Sequence, residues 1–578
     1  MSILSNILAS GNIDKIMCGI FGCIGNNRLI DSTVDGLSVL EYRGYDSTGI
    51  AYTKPDGQLN VIKAVGDIKQ LIKKITDRPA TALCLGHTRW ATNGGVCEAN
   101  SHPHLSANRQ IAVVHNGIIE NYLDCKKLLL QHHIKLQTTV DTEVIPNILY
   151  LLKHNKHNIH KYLQGQYVFC AGYAGNKPEL FIAKRGSLPL YIGQATDTIY
   201  VTSDTLALPA SVTQIVALDD LDTCTITTQD VIFYHNGQPT NKTWQPFTQN
   251  TLTTDKGQFT TFMEKEIHEI PSVLQRIAQT YPTDPLLGNK LRDWQQLLTK
   301  TKCVHICGCG TSYHAALILA KLFEKYHKIR AKAHISSEFT ADTLLGNDLA
   351  IVISQSGETA DTLACMNILT AHQIPVIALC NVTRSTIAKQ SQICFPLLCG
   401  PEIAVASTKV FCAAVLVGCY LIGHFADNDF NALPQLASTA IKTARTALSL
   451  PTKQPQKIFF IGKGLDYFLA LEAALKVKEI TYSHCEGYPA NELKHGPLSM
   501  VDDRTLSIVF QSDTTANAVA EISARGGQVI NLPPFAHDNP LGFIAQIIPA
   551  QIFALDLAGK LGINPDRPRN LAKSVTVL

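Results

Sequence analysis

The sequence predicts two fold classes in one chain: an α+β domain on antiparallel sheets, then a duplicated α/β half on parallel ones. Three observations predict this. From residue 18 to about 228, short strands alternate with polar turns and helices are few. From about residue 301, strand, glycine turn and helix alternate, the pattern of a parallel sheet. That alternation also repeats. Val304-His305-Ile306-Cys307-Gly308 matches Ile458-Phe459-Phe460-Ile461-Gly462 at an offset of 154 residues. Ile353-Ser354-Gln355-Ser356-Gly357-Glu358-Thr359 matches Val509-Phe510-Gln511-Ser512-Asp513-Thr514-Thr515 at an offset of 156. Two nearly equal offsets identify a duplicated lobe, its copies joined near residues 430–455.

Taken in order, residues 18–24 alternate small, apolar and glycine side chains and read as a strand. Residues 83–87, 111–115, 168–173, 180–183 and 199–202 read likewise, interrupted by helical stretches around 31–41 and 141–153. A polar, mostly helical connector covers about 255–301. In the second half, each copy of the repeat is an apolar strand, a glycine turn and a helix.

Composition sets the bounds. At 578 residues the chain exceeds one core, and two to four domains are expected. A net charge of +3 with no basic block gives nucleic acid no footprint. No run of eighteen uninterrupted apolar residues marks a membrane span. Residues 1–16 lack the cationic start and long apolar stretch of a secretion signal. Seventeen cysteines without framework spacing point to a reducing, cytoplasmic setting.

Met17-Cys18-Gly19-Ile20-Phe21-Gly22 is the most informative string. An N-terminal cysteine carries its own base, because a free α-amino group with a pKa of about 7.7–8.0 can take the thiol proton. With Met17 attached, that nitrogen is an amide and cannot. Cys18 is therefore either a buried strand thiol or a nucleophile in a chain that has lost residues 1–17. A second cysteine cluster invites a metal: Cys303, His305, Cys307 and Cys309 alternate along a strand. Same-face neighbours there lie roughly 6.6 Å apart and Zn–S bonds measure about 2.3 Å, so one zinc cannot hold all four. The set reads as core and active-site floor.

Gly308-Cys309-Gly310-Thr311-Ser312 and Ser354-Gln355-Ser356-Gly357-Glu358-Thr359 each link a strand to a helix. Such turns project at the carboxyl edge of a parallel sheet, where ligands bind. Glycines admit an anion to the backbone, and hydroxyls with helix N-terminal amides complete a phosphate cradle. The first string is neither Gly-x-Gly-x-x-Gly nor a Walker A loop. Lobe two has Lys463 and Leu465 in its first turn, so one phosphate site per chain is expected. It offers instead Glu472, Lys476 and Glu479 on one helix face, and His495 within Glu492-Leu493-Lys494-His495-Gly496-Pro497. Lys573 lies near the end, flanked by small and polar residues.

These motifs together resemble the glucosamine-6-phosphate synthases, the isomerising glutamine–fructose-6-phosphate aminotransferases. The resemblance runs from Cys18 to Leu578. It rests on Cys-Gly-Ile-Phe-Gly, Glu41-Tyr42-Arg43-Gly44-Tyr45-Asp46-Ser47, His87-Thr88-Arg89-Trp90-Ala91-Thr92 and His115-Asn116-Gly117-Ile118-Ile119-Glu120-Asn121. It continues through Asp141-Thr142-Glu143, the serine turns, Val405-Ala406-Ser407-Thr408-Lys409, Glu492–Pro497 and Leu571-Ala572-Lys573-Ser574-Val575.

The resemblance implies an N-terminal nucleophile (class II glutaminase) domain over 18–235 and a connector over 236–290. Two α/β sugar isomerase lobes follow over 291–430 and 455–568, with a catalytic tail at 569–578. By the same resemblance Cys18 is the nucleophile, Asn116 and Gly117 hold the oxyanion, and Arg89, Trp90, Thr92 and Asp141 bind glutamine. Thr311, Ser312, Ser354, Gln355, Ser356, Thr359, Val405 and Ala572 hold the sugar phosphate. Lys573 forms an imine with open-chain fructose 6-phosphate, His495 opens the ring, Glu479 shifts a proton between C1 and C2, and Lys476 assists. The products are glucosamine 6-phosphate and glutamate. No metal or organic cofactor is implied, and a homodimer is.

Three departures stand out. The leader before Cys18 is foreign to the pattern and implies initiation at Met17, or else a cleaved propeptide. Asn93 replaces a histidine common in the family, and Asn491 a glycine. Two alternatives are weighed: another class II amidotransferase with a different acceptor, and a non-catalytic sugar-phosphate sensor. The duplicated lobes oppose the first, the glutaminase half the second.

Overall fold

The computed structural model describes residues 18–575 apart from 26–27, 91–94, 176, 187, 249–255, 449, 452–454, 533 and 535–538. It divides into two compact units, one running through residue 251 and joined by the chain's end from Ala572, the other spanning 252–571.

The first unit is four layers deep. Its eight-stranded sheet places Gly19–Gly25 centrally, between Thr198–Thr202 and Leu83–Arg89, with Ser47–Thr53 and Leu59–Val65 beyond. A seven-stranded sheet runs from Gln238–Thr240 through Glu179–Arg185, Tyr167–Tyr173 and Ile111–Gly117 to His104–Leu105. Every described pairing in both is antiparallel, and the central strands bury both faces. One face of each sheet meets the other in a core containing Ile20, Leu85, Val114, Val168, Ile182 and Val201. The outer faces are covered by helices, Leu29–Leu40 and Ile68–Lys74 on one side and Tyr122–Gln131 and Val144–Leu152 on the other. The sequence reading anticipated two of these helices and missed Ile68–Lys74 and Tyr122–Gln131.

In the second unit all strand pairings are parallel. Five strands run in the order Arg330–Ile335, Cys303–Gly308, Asp348–Ser354, Val376–Cys380, Ile393–Pro396. Four more follow the same plan: Cys485–Pro489, Lys457–Gly462, Thr505–Phe510, Gln528–Leu532. The duplication holds down to backbone angles. Helices Thr311–His327 and Leu465–Thr481 both have 17 residues and enter through Gly310 (φ 53°) and Gly464 (φ 64°). Left-handed Lys328 and Tyr482 end them. A side chain rarely tolerates that entry conformation, so both copies kept glycine.

The expected join at 430–455 is largely a helix, Asp427–Ala447, which packs against Phe262–Thr283. One continuous core then links both lobes with these helices and with Lys409–Ile422 and Ile548–Lys560. Residues 543–560 are apolar enough to cross a membrane, with a mean hydropathy of 1.2, but 78% of the stretch is buried. Its apolar surface is spent on core packing. All 17 cysteines are free thiols.

The serine turn after Ser354 depends on Gly357 (φ 69°), where a Cβ would sit 1.8 Å from Ser385 Oγ. Gly357→Ala is expected to lower stability by about 2–3 kcal/mol and displace the turn, measured as a falling urea midpoint.

Candidate active sites

The first site grows from the place where two sheets meet at the amino end of the central strand. Cys18 immediately precedes that strand and is buried. The Trp90 peptide N–H reaches its Sγ at 3.4 Å, and Sγ faces the Trp90 carbonyl at 3.6 Å. From the second sheet, Asn116 Nδ2 donates to the Cys18 carbonyl at 2.8 Å. His87 Nε2 lies 3.0 Å from both Asn116 Oδ1 and the His115 carbonyl. Both neighbours only accept, so Nε2 carries the proton and the Asn116 amide is fixed with its NH₂ toward Cys18.

Burial governs the chemistry here. It pushes the Cys18 thiol up to about 11, against the Trp90 hydrogen bond and the Arg89 charge, which pull it down. At neutral pH the sulfur is a thiol that needs a base. Among the described residues its hydrogen-bonding partner is the Trp90 peptide alone, so no side chain there fills that role.

Arg89 ends the strand Leu83–Arg89 and is 3% exposed, and Trp90 packs edge-on against Tyr45. Asp141 Oδ2 accepts the Ile119 N–H at 2.8 Å; burial raises its pKa above the ordinary carboxylate value. Gly117 closes the strand that carries Asn116. Thr92 and Asn93 lie outside the described residues.

Sequence reasoning named no role for a set of buried histidines behind Asn116. His102 stacks on His87 with ring centroids 4.1 Å apart and meets His104 edge-on. Thr142 Oγ1 bridges His102 Nε2 at 3.1 Å and His115 Nδ1 at 2.9 Å. Burial depresses all four, His87 and His115 to about 3. Only the quoted motifs hinted at them: His87 and His115 open two of those strings.

The second site lies where the lobes abut. The first glycine turn and the serine turn end neighbouring strands, Cys303–Gly308 and Asp348–Ser354, and so stand side by side at the carboxyl edge. Ser354 Oγ accepts the Gly357 N–H at 2.9 Å and Ser356 Oγ the Glu358 N–H at 3.2 Å, which shapes the loop. Ser312, Gln355, Ser356 and Thr359 stay partly exposed. Val405 is buried in a loop held by two carboxylates: Glu402 accepts from Ser407 Oγ, Thr408 N and Val410 N, and Glu266 from Ile403 N and Ala404 N.

Thr311 turns toward the other lobe. Its Oγ1 accepts from Lys476 Nζ at 2.9 Å and donates to Glu472 Oε1 at 3.0 Å. Lys476 is fully buried, with Glu479 at 2.6 Å and Glu472 at 3.5 Å. Burial works to deprotonate it, but the two carboxylates outweigh burial and hold its pKa above the ordinary lysine value. His314, a residue the sequence did not single out, meets Glu472 Oε2 at 2.7 Å. The lysine stands as a fixed cation between two carboxylates rather than as part of a solvated stripe. His495 is exposed on the turn Ala490–His495. Ala572 and Lys573 group with the first unit and are half-buried. Arg569, a few residues earlier, stacks over the Tyr482 ring at 4.3 Å and donates its N–H to Tyr482 Oη at 2.8 Å.

These two sites define a class: a glutamine amidotransferase carried on the same chain as paired sugar isomerase lobes. Residues 87–210 match the glutamine amidotransferase domain family, and residues 297–422 and 452–533 match the SIS domain family. Glutamine–fructose-6-phosphate aminotransferase (isomerizing) of Bartonella quintana (strain Toulouse) is 35% identical, covering 97% of this chain and 100% of its own. The enzyme of that name from Aquifex aeolicus (strain VF5) is 34% identical with the same coverage. The C-terminal domain of glucosamine-fructose-6-phosphate aminotransferase from Francisella tularensis aligns at 28% identity, over 55% of this chain and 100% of its own, with a TM-score of 0.48. The chain belongs to the glutamine–fructose-6-phosphate aminotransferase (isomerizing) family.

The histidine set makes the first unit acid-sensitive. Because His87 and His115 titrate near 3 when folded and near 6.5 when unfolded, their stabilisation is complete above pH 6.5 and is lost as pH falls toward 3. Each is expected to remove about 1.4 kcal/mol per pH unit within that window. Urea midpoints at pH 7 and 5 test this, with a shallower slope expected for His115→Asn.

Proposed function

We propose that this chain converts fructose 6-phosphate and glutamine into glucosamine 6-phosphate and glutamate, the entry reaction of amino-sugar synthesis. The observation that carries it is that one chain holds a buried thiol beside an oriented asparagine amide and, in its other half, Lys476 clamped between Glu472 and Glu479.

In the glutaminase half, Cys18 Sγ attacks the glutamine side-chain carbonyl. The thiol proton passes to the cysteine's own amine, which becomes free only when residues 1–17 are gone. One Asn116 N–H and the Gly117 N–H face the oxyanion that develops, an interaction strongest in the tetrahedral state. Collapse expels ammonia and leaves a thioester, which water cleaves to glutamate. Arg89 grips the α-carboxylate with its planar fork, Asp141 the α-ammonium; Thr92 supports the pocket and Trp90 shields the ammonia.

In the synthase half, His495 opens the sugar ring. Lys573 condenses with the C2 carbonyl, losing water, and ammonia then displaces the lysine. Glu479 moves a proton from C1 to C2 with Lys476 at hand. Thr311, Ser312, Ser354, Gln355, Ser356, Thr359, Val405 and Ala572 hold the phosphorylated sugar. The hydroxyl-rich turns on adjacent strands and the carboxylate-pinned 401–408 loop support that assignment. A cytoplasmic setting, supported by the free thiols, and a homodimer, carried by the family resemblance, complete the reading.

Two measurements test it. Asn116→Ala is expected to lower kcat for glutamine hydrolysis by about 10²–10³ with little change in KM. Borohydride treatment with fructose 6-phosphate is expected to leave a stable mass increment on Lys573, absent in Lys573→Ala. An unmodified Lys573 in an active enzyme removes the imine step. Glutamine turnover by a chain retaining residues 1–17 removes the base assigned to Cys18.

A further inference from the structure

At the opposite edge of the first lobe's sheet from the serine turns lies a cluster that the proposed reaction does not use. Cys303 opens one strand and Asp348 its parallel neighbour, and the two are paired in register. His305 follows two residues along on the same face. The thiol, a ring nitrogen and a carboxylate oxygen of these three buried residues all lie within 4.8 Å of one another. The spacing along one strand excludes an ion shared by Cys303, His305, Cys307 and Cys309. Strand register brings Asp348 in from the side instead.

Two further features favour a cation. His305 Nε2 is 3.0 Å from Asp348 Oδ2, and His305 Nδ1 is 3.0 Å from His334 Nε2 on the adjoining strand. A ring held through its second nitrogen by an outer partner is how metal-binding imidazoles are oriented. The Leu345 N–H satisfies Asp348 Oδ2, yet Asp348 Oδ1 is buried with no hydrogen-bond partner. A hydrogen-bond chain Asp348–His305–His334 accounts for the imidazoles without an ion but leaves that oxygen unexplained. Asp348, Leu345, Asn347 and Thr301 line a cavity of about 760 Å³, but the His305 and Asp348 side chains are themselves fully enclosed.

We propose that Cys303, His305 and Asp348 bind one zinc-class divalent cation, with an enclosed water in the fourth position. Thiolate and carboxylate would neutralise the dication, so the buried site carries no net charge. A tetrahedral zinc with bonds of about 2.0–2.3 Å needs donors roughly 3.4–3.6 Å apart. The present spread closes with side-chain shifts of the order of 1 Å. Such an ion would tie the starts of two neighbouring strands together, far from the sugar-phosphate edge.

The full-length chain, stripped with a chelator, is titrated with Co²⁺ alone and, separately, loaded with one equivalent of Zn²⁺ for X-ray absorption. One tight equivalent of Co²⁺ with a thiolate-to-cobalt band is expected. Cys303→Ser should abolish the band and Cys18→Ala should keep it. Asp348→Asn should weaken Co²⁺ binding at least about tenfold, as loss of even an outer-shell partner does. The zinc shell of the wild-type chain should show one sulfur at about 2.3 Å with nitrogen and oxygen near 2.0–2.2 Å. That reading does not depend on any variant folding. Absence of the band, its survival in Cys303→Ser, its loss in Cys18→Ala, or a shell with no sulfur or sulfur alone overturns the proposal.

Discussion

A thiol that burial holds near pKa 11 does not attack an amide until something takes its proton. That constraint organises the first unit. Cys18 is buried, and depth is what keeps its sulfur protonated. Of the described side chains, none within hydrogen-bond reach serves as a base. The histidines nearby are held neutral and spent on geometry: His87 fixes the Asn116 amide, and His102, Thr142 and His115 fix what lies behind it. The base we propose, the cysteine's own nitrogen, lies outside that set of side chains, which gives the residues ahead of Cys18 their chemical weight.

The second unit handles a different problem, a buried cation. Lys476 is fully enclosed, and an unpaired ammonium there would lose its proton. Glu472 and Glu479 keep it charged, and Thr311 reaches across from the other lobe to share the network. That hydroxyl joins the glycine turn of one copy to the charged helix of the other. Both copies keep the strand, the left-handed glycine and the 17-residue helix. They differ at the first turn, Thr311-Ser312 against Leu465-Asp466, and in the ionised groups that Leu465–Thr481 buries, Glu472 and Lys476.

Much of the architecture was legible in the chain. The repeat of an apolar strand ending in glycine, Val304–Gly308 and Ile458–Gly462, made two parallel lobes readable, because each copy needs a buried strand leading into a close turn. The strands of the first half were readable as short apolar runs between polar turns, because the central ones are buried on both faces. The short helix Ile68–Lys74 was not, because seven residues carry too little periodicity. The 430–455 segment read as a join, yet most of it is helix buried against the connector, a consequence of packing partners distant in sequence.

The sequence by itself determined the order of domains, the duplication, and the motifs bearing Cys18, Asn116 and Lys476, since local spacing and turn chemistry are written along the chain. Only the tertiary structure decided which of those groups meet. The His87–Asn116 orientation, the Thr311–Lys476 bridge and the Cys303–Asp348 pairing join residues 29 to 165 positions apart, brought together by strand register and helix packing. No periodicity encodes that convergence, because it depends on how separate elements bury their apolar faces against one another.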